Sequence, residues 1–149
     1  MNKIMTQENK NLLLKDICSR LPYGVKGRVL SRNYNNRECE FVATIDGKLY
    51  DRFAVAQELW FDNVIIKPYL FPLSSMTDEL WDKEFMGCSI TEFTRDSFKY
   101  GCETLCFNNC NPHLSSTVRF INQLIKNHFD IYGLIPMGLA IDATGLNIY

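Results

Sequence analysis

A chain of 149 residues with 46% hydrophobic and 22% charged side chains has the make-up of one ordinary globular domain, which excludes intrinsic disorder and membrane insertion as organising principles. Sixteen basic residues against seventeen acidic ones leave a net charge of -1. No global field then gathers a polyanion, and nucleic acid is not the expected partner.

The opening MNKIMTQENKNLLLKD lacks the uninterrupted apolar core and cleavage site of a signal peptide, and no run reaches the length of a membrane span. The expectation is a cytoplasmic protein with no membrane partner, in which Cys18, Cys39, Cys88, Cys102, Cys106 and Cys110 stay reduced. In an exported protein the sequence could not choose among their pairings.

Residues 6–21 read as a helix capped by Thr6, with Leu13, Ile17 and Leu21 on one face, Lys10, Asp16 and Arg20 elsewhere, and Pro22 and Gly24 ending it. Three β-rich segments follow, near 25–32, 38–45 and 48–56, separated by the turn formers NYNNR and DG. A two-residue Asp46-Gly47 turn sets Phe41 against Arg52. A three-residue turn with Gly47 left-handed sets Glu40 against Arg52 and Cys39 against Phe53, the better register, although it leaves Asp51 opposite Phe41. A fourth strand is predicted over Val64 to Leu70, where Pro68 cannot donate to a ladder and so argues for an edge or a strand end.

The stretch PLSSMTDE then poses a choice between an anion site and a helix start. Ser75 with Asp78 makes one capping pattern; Thr77 makes another, with Met76 stapled to Trp81. Asp78 and Glu79 already answer the helix dipole and would repel an anion, so the helix start accounts for more of the stretch. That helix runs to about Met86, burying Leu80, Trp81 and Phe85 ahead of Gly87. Residues 88–113 have no clear period. The last helix spans about 115–129, with Val118, Ile121, Leu124, Ile125 and His128 near one face, and the apolar, glycine-rich tail DIYGLIPMGLAIDATGLNIY packs on the core as turns and short strands. The expected architecture is one α+β domain over 1–149: an antiparallel β-meander of three to four strands packed against two or three helices, with those at 6–21 and 115–129 covering one face.

Catalytic readings are weak. Cys102, Cys106, Cys110 and His113 invite zinc, yet on one continuous helix Cys102 and Cys110 would stand about 12 Å apart, too far for sulfurs each about 2.3 Å from one ion. No cofactor or metal is expected. A thiol nucleophile has only His113 and His128 as bases, and no GxSxG elbow, GxGxxG, Walker loop or HExxH is present. What remains is aromatic surface: of Tyr23, Tyr34, Tyr69, Phe71, Tyr132 and Tyr149 several fall at loops or strand ends, where rings stack on a flat ligand or a partner, although core packing is the expected fate of most of them.

IKPYLFPLSSMTDE at 66–79 and NHFDIYGLIPMGLAIDA at 127–143, with the opening LLLKDICSRLPYGV, resemble uncharacterised small proteins of phages, prophages and mobile elements of Bacteroides and related gut bacteria. Those carry runs of the form I-K-P-Y-L-R-P-M-S-S-M-T-E-E and H-F-D-Y-R-G-L-I-x-x-G-L-A. The resemblance covers under a third of the chain and implies genomic context rather than an activity. Phe71 and Tyr132 stand where the family pattern has arginines: if those arginines form an anion site in the family, this chain lacks it, and an aromatic pair would line an apolar contact instead, provided that the fold brings the two together. Within a bacterial host, the expected function is a non-catalytic accessory protein that binds a host protein or a small signalling nucleotide, as an anti-defence protein does. The candidate ligand-binding residues are Tyr69, Phe71, Ser74, Ser75, Thr77, His128 and Tyr132; homo-oligomerisation stays open. A small enzyme acting on a nucleotide-like substrate and a phage particle or assembly component are the alternatives.

Overall fold

Thr6 opens the first helix as the sequence predicts: its Oγ1 accepts the Asn9 N–H at 3.2 Å at the start of α1, Gln7–Arg20. The computed structural model describes residues 5–31, 37–43, 64–85 and 114–149. A 3-10 turn, Leu21–Tyr23, ends α1, and Gly24 at φ 77 turns the chain into the sheet while its N–H donates to the Leu21 carbonyl. The inward stripe of α1 is Leu13, Asp16, Ile17 and Arg20, which corrects the placing of Asp16 and Arg20 away from the core.

The physical reason is that Arg20 finds a full set of acceptors inside. Its Nε donates to Asp16 Oδ2 at 2.9 Å and its Nη2 to Asp16 Oδ1 at 2.7 Å. Nη1 reaches the Ile125 carbonyl at 3.3 Å and Nη2 the Phe129 carbonyl at 2.6 Å. Both side chains of the ion pair are fully buried, a placement tolerable only because the pair is hydrogen-bonded throughout. Burial pushes the Asp16 carboxyl up from its ordinary value, against the pull of Arg20.

The sheet holds β1 (Val25–Ser31), β2 (Arg37–Ala43), β3 (Val64–Leu70) and the two-residue β4 (Ile141–Asp142), in the order β2-β1-β3-β4. β1 pairs antiparallel with β2, Arg28 opposite Glu40, and antiparallel with β3, Gly27 opposite Pro68. β4 runs parallel to β3, Tyr69 opposite Ile141. The α+β class holds, but the sheet is mixed and β3 lies beside β1, so the purely antiparallel meander is corrected. Two residues of parallel strand arise because the tail returns alongside β3, where the Ala143 N–H donates to the Leu70 carbonyl at 2.8 Å. Pairing with β4 begins only at Tyr69, so on that side Pro68 deprives no described neighbour of a donor. The strand expected at 48–56, with its Glu40–Arg52, Cys39–Phe53 and Asp51–Phe41 pairings, lies outside the described residues.

Thr77 caps α2, Asp78–Glu84, its Oγ1 accepting the Leu80 N–H at 3.2 Å. Ser75 is not the cap: its Oγ donates to the Pro72 carbonyl at 2.7 Å within the 3-10 turn Leu73–Ser75. Phe85 is buried at the end of α2, stacked on Trp81 (5.4 Å between centroids) and edge-on to Phe120 (5.6 Å). α3, Leu114–Lys126, buries Phe120, Leu124 and Ile125, while Val118, expected on that face, is exposed. The stripe is centred on Phe120, whose ring fills the space between α2 and α3.

Two apolar clusters result. One joins Leu73, Met76, Phe85, Phe120, Leu124, Ile125, Phe129 and Ile131. The other sets Leu13 and Ile17 of α1 against Ile66 and Leu70 of β3 and Leu134, Leu139 and Ala140 of the tail. The helix expected at 115–129 thus buries its apolar side chains with Phe85 at the end of α2 and with the segment after β3, while α1 sets Leu13 and Ile17 against the sheet. Half-buried Tyr132 packs on both clusters. Asp130 braces the turn between them, accepting the Leu134 and Ile135 N–H groups at 2.9 and 2.8 Å. Among the described residues, no helix is long and apolar enough to cross a membrane.

Candidate functional site

α3 ends in a left-handed turn. The His128 N–H donates to the Ile125 carbonyl at 3.0 Å and the Phe129 N–H to the Leu124 carbonyl at 2.9 Å, with His128 at φ 60. This is a Schellman end with histidine in the position glycine usually takes, at roughly 1–2 kcal/mol of backbone cost. The chain then bridges to the residue after β3. The Phe71 N–H donates to the His128 carbonyl at 2.9 Å, and the Asp130 N–H donates to the Phe71 carbonyl at 2.8 Å.

This junction holds His128 rigidly, and Tyr149 lies flat on its imidazole, centroids 3.6 Å apart and planes 11° apart. The Tyr149 hydroxyl is wedged between β1 and β3 just beyond their last ladder pair. It accepts the Lys26 N–H at 3.1 Å and donates to the Tyr69 carbonyl at 3.1 Å. Lys26 Nζ donates to the Ile148 carbonyl and stands 5.5 Å from the Tyr149 ring centroid. Burial, then the charges of Arg20 and Lys26, push His128 down from 6.5 to about 4, leaving a neutral ring at pH 7. Burial likewise pushes the Tyr149 hydroxyl up. His128 Nδ1 is buried with no hydrogen-bond partner among the described residues.

Beside this stack opens a groove of about 420 Å3, a volume within the range of small-molecule sites. Phe71, Leu80 and Phe129 give it apolar walls, His128 and Tyr149 close one side, and Ser75, Lys126 and Asn127 supply its polar groups. Lys126 pairs with Glu84 at 3.0 Å and remains half exposed, a solvated ion pair that an incoming anion can rearrange at little cost. Asn127 spends its Nδ2 on the Gln123 carbonyl.

Of the residues chosen from sequence, Phe71, Ser75 and His128 come together on the groove wall. Tyr69 does not: its side chain is buried and its hydroxyl accepts from Arg28 Nε at 2.8 Å. Half-buried Tyr132 packs against the two apolar clusters, with Lys15 Nζ 5.3 Å from its ring centroid. Ser74 is exposed on the 3-10 turn and Thr77 is engaged as the cap. Lys126, Asn127 and Phe129 escaped sequence reading because a wall built from a helix end has no motif; an Asn-His pair closing an amphipathic helix is the one available signal. Cys102, Cys106, Cys110 and His113 lie outside the described residues, and among the described ones no metal-binding group of three or more His, Cys, Asp or Glu side chains gathers.

Ser75 points its proton at a carbonyl and His128 is stacked, so these two do not form a nucleophile and base. Compared with known proteins, the chain matches no family model, no curated protein and no solved structure.

Proposed function

We propose that this chain is a non-catalytic binding protein whose groove takes a small nucleotide-class ligand, and that it serves a phage or mobile element by withholding a host defence signal. The groove carries the reading: aromatic faces for a base lie within one small volume beside a lysine for a phosphate and an amide and a hydroxyl for a sugar. The resemblance of residues 66–79 and 127–143 to mobile-element proteins supplies the context.

The test is to incubate the purified protein with cyclic and NAD-derived nucleotides and, separately, with host extract, then heat it and identify what is released. An intact nucleotide is the expected product, held several-fold more weakly by Lys126→Ala, which removes a half-exposed side chain and leaves the core alone. A chemically altered nucleotide would make the protein an enzyme. Retention of a host protein with no nucleotide would move the reading to a protein partner, and incorporation into purified virions to a particle component.

A further inference from the structure

Tyr149 behaves as a ligand already in place. Its ring stacks face-on against the imidazole of His128, which is 6% exposed, while Tyr149 itself is 42% exposed. Its hydroxyl occupies a backbone donor and a backbone acceptor, Lys26 N–H and Tyr69 C=O, that face each other where the β1–β3 ladder stops. The segment bearing it is lightly held. Among residues 144–149, all but Ile148 are exposed, and none belongs to either apolar cluster. Among the described residues its ties are the Tyr149 hydroxyl, the tilted contact of the Tyr149 ring with Phe71, the Lys26 bond to the Ile148 carbonyl, and the short-range bonds from the Thr144 N–H to Asp142 Oδ1 of β4 and from the Leu146 N–H to the Ala143 carbonyl. His128, by contrast, is fixed through its own N–H and C=O in a left-handed conformation, a costly way to hold a ring and a rigid one.

We propose that Tyr149 is a placeholder: the heteroaromatic ring of the groove's ligand displaces it from the face of His128 and takes up the Lys26 N–H and Tyr69 C=O, so that residues 144–149 form a strap that opens on binding. This rests on the nucleotide reading above and adds where the base goes and what guards the place. A nucleobase suits the vacated position because it is flat, stacks on a neutral imidazole and carries acceptor and donor atoms on its edges. Tyr149 already lines the groove, so its departure widens the groove toward the sheet. A closed strap also lowers the apparent affinity by the fraction of molecules that are open, so weakening the strap must tighten binding.

The experiment titrates the same cyclic and NAD-derived nucleotides, together with the four nucleoside 5′-monophosphates, into wild type, Tyr149→Ala and Tyr149→Phe by calorimetry, with thermal melts of all three. The expected result is at least one nucleotide bound tenfold or more tightly by Tyr149→Ala than by wild type. Tyr149→Phe, which keeps the ring and loses the hydroxyl, should gain less, and it still tests the strap should the alanine variant unfold. Adding His128→Asn to Tyr149→Ala should remove the gain, because the platform is gone while asparagine keeps the left-handed turn. Equal or weaker binding by both Tyr149 variants, with wild type still binding, would overturn the strap and leave the groove reading intact. A gain that survives His128→Asn would overturn the stacking position. No binding of any nucleotide by any variant would overturn both readings.

Discussion

His128 shows how much one residue's backbone and ring can be asked to do. Its pKa near 4, against 6.5 for an ordinary histidine, means that the unfolded chain binds more protons than the folded one between those values. Stability should therefore fall as pH drops through that window, by at most about 1.4 kcal/mol per pH unit and less where solvent reaches the ring. Urea midpoints at pH 7 and pH 4.5 check this: His128→Asn should show a smaller drop than wild type, the carboxylates being common to both. Thr77 gives a second comparison. Thr77→Ala should cost about 1 kcal/mol, because the Leu80 N–H loses its acceptor. Ser75→Ala should cost clearly less, since its hydroxyl serves a carbonyl that water can serve. The Thr77 cap was legible in sequence as the alternative to Ser75, because cap, staple position and first-turn acids coincide there. The left-handed His128 was not, since that position advertises itself through glycine or asparagine.

At the scale of elements, α1 and α3 are joined by a buried charge more than by surface. Asp16→Asn leaves the Arg20 guanidinium without its counter-charge and should destabilise the protein by about 3–5 kcal/mol in denaturant titration. Asp16→Leu combined with Arg20→Met should cost less than the sum of the two single losses, yet stay below wild type. The Ile125 and Phe129 carbonyls would lose their donor in any apolar replacement. Residues 13, 16, 17 and 20 are spaced as one helical stripe, yet apolar periodicity picks out Leu13, Ile17 and Leu21 and sets Asp16 and Arg20 elsewhere. The burial of the pair was not legible, because two of the acceptors come from residues more than a hundred positions away. The same limit misplaced the stripe of α3. Val118 and Phe120 are both apolar, and only the neighbouring α2 decides which of them is covered.

The whole molecule depends on Phe120 and Tyr132 sitting where elements meet. Phe120→Ala should cost about 3–5 kcal/mol, with tryptophan fluorescence and far-UV circular dichroism shifting to the same new midpoint. Separate midpoints would mean that the cluster around Phe120 and the one around Leu13 melt independently. Helix existence, the strand at 64–70 and the α+β class were legible from periodicity and turn residues. β4 was not, because two residues carry no period and their partner strand lies far off in sequence. That distance has its own consequence. The carboxyl end of β3 is where the chain closes on itself: Tyr149 reaches Tyr69 across 80 positions and Lys26 across 123, and Arg20 reaches Phe129 across 109. Each such link must bring together ends of a long loop before it yields any attraction, so closing the molecule slows the search for the folded state. A molecule closed this way folds on the order of milliseconds to seconds. Loosening the junction around Tyr69 and Phe71 should lengthen that time to the extent that the junction is formed at the barrier and shorten the lifetime of the folded state by the remainder, a split that the two arms of a denaturant chevron read directly.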